Sequence, residues 1–240
     1  MIYKSFLFLR ALIFYIVLIF LSALVTLFLY LALPFPFKVR LMFSRIWSRA
    51  VLKSCEWLCG LHYQVIGQEN LLSEPVVFLA KHQSAWETVV FPGLLPPNCL
   101  VFKKSLLKIP IFGWGMAVCH HIPVDRSAGI KAFKNVIELG KKRLQEGLSI
   151  IIFPEGTRVA PKMDAKFHKT AASLAKAAGA KVTPIAHNSG SCWHRNSFLK
   201  YPGTITVAIG PAIDTSNLSA DEITEQAYTW IKTTMATIEK

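Results

Sequence analysis

Between Arg10 and Lys38 the chain carries no charged residue. The run from Ala11 to Leu33 is apolar almost throughout, and about 20 such residues, as helix, cross the hydrocarbon core of a bilayer. No other stretch limits the fold as much, because the molecule must either bury this run or leave it in lipid. A secretory signal peptide would carry a shorter apolar region, about 7–15 residues, with small residues at a cleavage site after it. Here the run ends in Pro34-Phe35-Pro36-Phe37, a helix breaker rather than a cleavage site, so the segment is expected to be retained. Lys38 to Cys59 reads as a second helix of different character. Phe43, Ile46, Trp47, Ala50, Val51, Trp57 and Leu58 recur at helical spacing, and Arg45, Arg49 and Lys53 form a basic stripe opposite them. Such a helix can lie in the interface, with tryptophans at headgroup depth and cations toward anionic lipid. Packing on a globular domain is the alternative. Residues 1–60 are therefore expected to form a two-helix membrane element and residues 61–240 the main domain. Basic residues are somewhat more numerous on the C-terminal flank of the apolar run, which would leave the main domain on the cytoplasmic side if the run spans. A hairpin dipping into one leaflet fits equally well.

Charge narrows the partners. The net charge of +13 could suggest nucleic acid, but no recognition motif accompanies it and a mean hydropathy of +0.40 does not suit a soluble nucleic-acid binder. Apolar and basic character together fit a protein at an anionic membrane surface, acting on acidic, phosphate-bearing molecules. The cysteines at 55, 59, 99, 119 and 192 are odd in number and match no disulfide framework, so buried reduced thiols in a cytosol-like compartment are expected. Cys119-His120-His121 offers metal donors, yet adjacent residues rarely converge on one ion and no second cluster has ligand spacing. No metal is expected.

From Leu61 onward, strand-like and helical stretches alternate, which argues for an α/β domain. Strands are expected over 63–66, 76–80, 100–102, 149–153, 181–185 and 204–209. A helix over 128–145 would turn Ile130, Phe133, Val136, Ile137 and Leu144 inward and close at Gly147. Another, over 170–178, has Gly179 placed as its cap. The last opens with a capping box, Ser219 to Glu222.

Chemistry concentrates in three stretches. Lys81 to Thr88, KHQSAWET, follows an apolar run and precedes a helix start, so it should occupy a strand-to-helix turn. His82 stands five residues before Glu87. Histidine is readily poised as a base near neutral pH, and a carboxylate on one ring nitrogen leaves the other free to accept a proton. Ser84-Ala85-Trp86-Glu87 is equally a capping box, in which Glu87 would only reach back to the helix start. The second stretch, FKKSLLKIPIFGWGM followed by HIPVDR, sets Lys103, Lys104 and Lys108 among Leu106, Leu107, Ile109, Ile111 and Phe112. Such a surface could hold an anionic headgroup beside an acyl chain, or simply be a core-packing segment with solvated lysines. The third, IIIFPEGTR, runs an apolar strand into a turn. There Gly156 permits positive φ, Arg158 offers a planar fork for phosphate oxygens, and Glu155 can hold Arg158 or a substrate hydroxyl.

These stretches, with Val182-Thr183-Pro184-Ile185 after them, stand in the order of the four blocks of the glycerolipid acyltransferases. The chain resembles the membrane-bound 1-acyl-sn-glycerol-3-phosphate acyltransferases of that family from about Tyr63 to Pro211. The resemblance implies an α/β fold, a mixed sheet flanked by helices behind an N-terminal two-helix membrane element. It makes His82 the general base and Glu87 the acid that orients it. It assigns Lys103 and Arg158 to the acceptor's phosphate, with Arg126 as a further candidate, and Glu155, Gly156 and Thr157 to the same binding turn. The implied reaction moves a fatty acyl group from acyl-carrier protein or acyl-CoA to the sn-2 hydroxyl of lysophosphatidic acid, giving phosphatidic acid, without a cofactor. Acylation of glycerol-3-phosphate or lyso-ornithine lipid, or a non-catalytic lipid-binding role, are the alternatives. The family's first block ends in Asp where this chain has Glu87, one methylene longer. No Gly-x-Ser-x-Gly elbow supplies a serine nucleophile.

Overall fold

The computed structural model describes residues 2–239. Among them one sheet is built from β1 (Leu61–Ile66), β2 (Val77–Ala80), β3 (Asn98–Lys103), β4 (Ile122–Val124), β5 (Ser149–Ile152), β6 (Val182–His187) and β7 (Gly203–Ile209). The helices are α1 (Ile2–Leu31), α2 (Phe37–Cys59), α3 (Trp86–Leu94), α4 (Phe112–Ala117), α5 (Ile130–Gln145), α6 (Thr170–Ala178), α7 (Ser189–Cys192) and α8 (Ala220–Ile238). The strand order is β1-β7-β6-β2-β5-β3-β4. From β6 to β4 every pairing is parallel; β7 runs antiparallel to β6 and carries β1 parallel beside it. The sheet is therefore mixed and flanked by helices, as expected. Every strand expected from the sequence is present, and β4 joins them at the edge. Three residues centred on Pro123 give no periodic signal, and an edge is where proline is tolerated.

The central strands are apolar on both faces, Val-Phe-Leu-Ala in β2 and Ser-Ile-Ile-Ile in β5, all buried. That is the signature of parallel strands covered on both sides. One face packs against α1, α2 and α3 through Phe14, Val51, Leu52, Trp86 and Phe91. The other packs against α5, α6 and α8 through Val136, Leu174, Ile223 and Ile231. Gly179 caps α6 at φ 64°, and Ser219 and Glu222 close their capping box on α8. In α5 the expected inward face is only partly realised. Val136 is buried, but Ile130 and Phe133 are 75% and 40% exposed.

The N-terminal helices differ from each other. Among the described residues, α1 is the one helix long and apolar enough to cross a membrane. Its stripe of Leu7, Ala11, Phe14, Ser22, Thr26 and Leu29 is nonetheless buried, and it is pinned along its length. Arg10 Nε donates to the Leu58 carbonyl at 2.6 Å and Thr26 Oγ1 to the Ile111 carbonyl at 3.1 Å. Between them, the Lys200 ammonium donates to Tyr15 Oη at 2.8 Å and lies 4.3 Å from the centres of the Tyr15 and Trp193 rings. Burial among these rings pulls the Lys200 pKa down to about 8.

Helix α2 packs on α3, and this corrects the expected basic stripe. Arg45 donates to the Pro92 and Leu95 carbonyls at 3.2 and 2.7 Å, and Arg49 to the Gly93 carbonyl at 3.3 Å. Two of the three cations thus cap the C-terminal carbonyls of α3, where a helix end attracts positive charge, while Ile46 and Trp57 remain exposed. These carbonyls lack helical partners because α3 ends there, and Pro92 inside α3, which brings no N–H, opens a further gap one turn earlier. Ser48 mends the next rung: Gly93 N donates to its hydroxyl at 2.9 Å, and the hydroxyl donates to the Val89 carbonyl at 2.6 Å. Gly93 allows this approach, since a Cβ there would meet Ser48 Oγ at 2.7 Å and Ser48 Cβ at 2.9 Å.

Gly93→Ala should therefore push α2 off α3 and lower stability by about 1–3 kcal/mol, the range for overpacking. Unfolding of the detergent-solubilised variant measures it; an unchanged midpoint would mean that the two helices part without cost.

Candidate active site

Every expected site residue leaves the sheet at one edge. His82 follows β2, the turn 155–158 follows β5, Lys103 ends β3 and Arg126 follows β4. The carboxyl ends of parallel strands share an edge, and open α/β sheets take ligands there. Since β2, β5, β3 and β4 are neighbours in that order, these residues stand in a row that begins at His82 and ends at Arg126.

At the head of the row, His82 Nδ1 donates to Glu87 Oε1 at 2.9 Å. The same oxygen accepts the Gln83 and Ser84 backbone N–H groups at 2.9 and 2.8 Å, and Ser189 Oγ donates to Oε2 at 2.8 Å. One carboxylate thus makes the contact to His82 and the contact back to the Ser84 backbone, while the rest of the expected capping box, Ser84 as N-cap, is not formed. Glu87 does reach back to the helix start, and from there it grips the imidazole. The helix itself begins two residues later than Ser84, whose hydroxyl accepts the Trp86 N–H at 3.1 Å. The His82 ring lies on the Phe153 ring, centroids 4.2 Å apart and 18° from parallel. Its side chain keeps 14% exposure, and Nε2 has no partner among the described residues. A neutral imidazole held this way can take a proton at Nε2.

Glu155 does not hold Arg158. It is buried, and its Oε1 accepts the Lys81 ammonium at 2.9 Å and the His82 N–H at 3.2 Å. It braces His82 from behind, while Oε2 is buried without a partner among the described residues. Gly156 adopts φ 68° as its turn requires, and Thr157 is exposed. Val159 N donates to the His82 carbonyl at 2.8 Å, tying the two loops together. Arg158 is half-buried, and its carbonyl accepts Arg195 at 2.8 Å. The guanidinium itself, like the exposed ends of Lys103 and Arg126, has no ion-pair or hydrogen-bond partner among the described residues. Cys119, His120 and His121 diverge: His121 Nδ1 accepts the Leu100 N–H at 3.1 Å, while His120 stacks on Phe37. All five thiols are buried.

A family model described as Acyltransferase matches residues 62–188, which hold His82, Glu87, Lys103, Arg126 and the 155–158 turn. A Pseudomonas aeruginosa protein named 1-acyl-sn-glycerol-3-phosphate acyltransferase is 39% identical over 217 residues, 89% of this chain and 84% of that one. The chain belongs to the acyltransferase family. The human 1-acyl-sn-glycerol-3-phosphate acyltransferase beta is 29% identical, with 72% of this chain and 63% of that one covered. The crystal structure of the 1-acyl-sn-glycerophosphate (LPA) acyltransferase PlsC from Thermotoga maritima superimposes with a TM-score of 0.80 over 99% of this chain and 97% of that one. At 21% identity that likeness speaks for the fold.

In this acyltransferase the charge state of the acid follows from its donors. Burial alone would raise the Glu87 pKa, but the charge that the His187 and His82 rings take up in acid, the His82 hydrogen bond and the Ser84 N–H outweigh it and hold the carboxyl at about 2. Glu87 therefore stays ionised at any physiological pH. Sequence reasoning passed over Lys81, His187 and Ser189. Nothing local marks them: Lys81 looks like a solvated charge beside the motif, and Ser189 lies 102 residues beyond Glu87.

The depressed pKa has a stability consequence with a definite sign. The folded carboxyl sheds its proton more readily than the unfolded one, so its contribution is complete above its ordinary value of 4.5 and disappears as pH falls toward about 2. Wild type should lose unfolding free energy between about pH 5 and about pH 3, and Glu87→Gln should lose markedly less. Parallel declines in denaturant midpoint would show that this carboxylate is not the group responsible.

Proposed function

We propose that this chain transfers a fatty acyl group from a thioester, acyl-carrier protein or acyl-CoA, to the sn-2 hydroxyl of lysophosphatidic acid, releasing phosphatidic acid. The observation that carries this reading is the His82–Glu87 pair with its outer nitrogen free, standing in a row with cationic side chains. Nε2 takes the hydroxyl proton as the oxygen attacks the thioester carbonyl carbon. Glu87, already ionised, stabilises the imidazolium that forms. Collapse of the tetrahedral intermediate breaks the C–S bond, and the imidazolium returns its proton to the departing thiolate. No acyl-enzyme is needed.

Arg158 and Lys103, with Arg126 at the end of the row, suit the phosphate of the acceptor: a planar fork and a mobile ammonium without internal partners. The N–H groups of Gln83 and Ser84 are already engaged by Glu87. Donors for the oxyanion must therefore come from the third-block turn, where the Thr157 and Arg158 N–H groups bond to no described residue. The outer side of α1 exposes Phe6, Leu9, Ile13, Ile16 and Phe20, a surface suited to one leaflet. With α1 tied down along its length, the reading is of a helix lying in the membrane while the sheet stays on the cytoplasmic side. The acceptor then needs only to raise its headgroup to the sheet edge.

His82→Ala should abolish thiol release from an acyl thioester in the presence of lysophosphatidic acid while membrane binding persists; surviving turnover would remove His82 as the base. Arg158→Lys keeps the charge but loses the fork, so the acceptor KM should rise about tenfold or more, with the donor KM nearly unchanged. Equal effects on both substrates would dismiss the phosphate role.

A further inference from the structure

The last residue of β6 and the segment after it lie beyond every chemical stretch singled out from the sequence, yet they bond to Glu87 and to both neighbours of His82 in the chain. His187, Ser189 and Glu87 are each fully buried. His187 Nε2 donates to the Lys81 carbonyl at 2.7 Å, and its Nδ1 accepts the Ser189 N–H at 3.4 Å. This pattern fixes the neutral tautomer, in keeping with the downward shift that burial imposes on the ring. Ser189 Oγ then has one task, donation to Glu87 Oε2 at 2.8 Å. Next in sequence, Gly190 N donates to Gln83 Oε1 at 3.1 Å. A side chain at Gly190 would meet Gln83 Cβ and Pro161 Cγ at 3.0 Å each, so the backbone comes as close to the motif as it can.

Resting on the dyad reading above, we propose that this segment is a positioning clamp for the general base. Ser189 sets the angle at which Glu87 meets His82, and His187 fixes the Lys81 carbonyl that leads into the same residue. The clamp answers a problem of length. A glutamate has one more rotatable bond than an aspartate and could swing its carboxylate around the line to His82. With Oε1 held by three N–H donors and Oε2 by one hydroxyl, only one orientation satisfies all four. A base misplaced by a fraction of an ångström loses rate rather than affinity.

The test is a cycle of four proteins: wild type, Ser189→Ala, Glu87→Gln and the double variant, assayed for thiol release with both substrates varied. Ser189→Ala should lower kcat about tenfold or more, with both KM values unchanged. In the Glu87→Gln background the same substitution should leave kcat where Glu87→Gln alone puts it, because Ser189 acts through the carboxylate. Melting midpoints separate this from unfolding. Should Ser189→Ala prove too unstable, Ser189→Cys, similar in volume but a weak donor, should show a smaller loss of the same kind. Wild-type kcat in Ser189→Ala, or an equal fold loss in both backgrounds, would overturn the clamp. His82→Ala, run alongside, keeps the two ideas apart: if it is dead while Ser189→Ala is unimpaired, only the clamp fails. If it turns over, the dyad reading fails and takes the clamp with it.

Discussion

A carboxylate with no exposure to water is expensive unless its oxygens are met by donors. In this chain that condition falls on Glu87, and much of the surrounding architecture serves to meet it. Two donors come from the backbone of its own turn, one from the imidazole it steadies, and one from a serine that reaches it only because β6 lies beside β2. The turn holding those backbone donors is itself braced by Glu155 of the neighbouring loop, which accepts its Lys81 ammonium and His82 N–H. The same contacts that make the charge tolerable also orient the ring, so stability and reactivity here have a common origin. The longer acid is accommodated without any break in its reach to His82.

The two faces of the sheet divide the remaining tasks. Helices α5, α6 and α8 cover one side with an ordinary apolar core. On the other side α3, which carries Glu87, is joined through Ser48, Arg45 and Gly93 to α2, and α2 is paired with α1. The most lipid-like helix, α1, thus shares one apolar core with the helix that carries Glu87. Cations that a sequence pattern would send toward lipid are spent on the carbonyls at the end of α3, a more local use of positive charge.

Much of this was legible in advance, for identifiable reasons. The central strands show as unbroken apolar runs, Gly179 and Ser219 mark helix ends by their own conformational and hydrogen-bonding preferences, and the His82–Glu87 spacing places both groups at one turn. What escaped notice depends on which strands are neighbours. Lys81 gains meaning only beside Glu155, which belongs to a loop 74 residues away. Ser189 gains it only beside Glu87. Ile130 and Phe133 have the periodicity of a buried face, but periodicity does not say how far along a helix its packing extends. Arg45 and Arg49 were readable as a stripe, not as caps, because the carbonyls they meet lie at the end of another helix.

The row of residues along the sheet edge has an implication for how the protein comes to life. Its members are supplied by strands far apart in the chain, and β2 finds its neighbours only in β5 and β6. A growing polypeptide that has already displayed its apolar leader and its histidine still lacks the turn that braces that histidine and the serine that holds its acid. The proposed reactivity toward thioesters would thereby wait until the long-range strand pairings close, late steps in any folding sequence. Half-made chains gathered at a membrane would be inert toward the cell's pool of activated fatty acids.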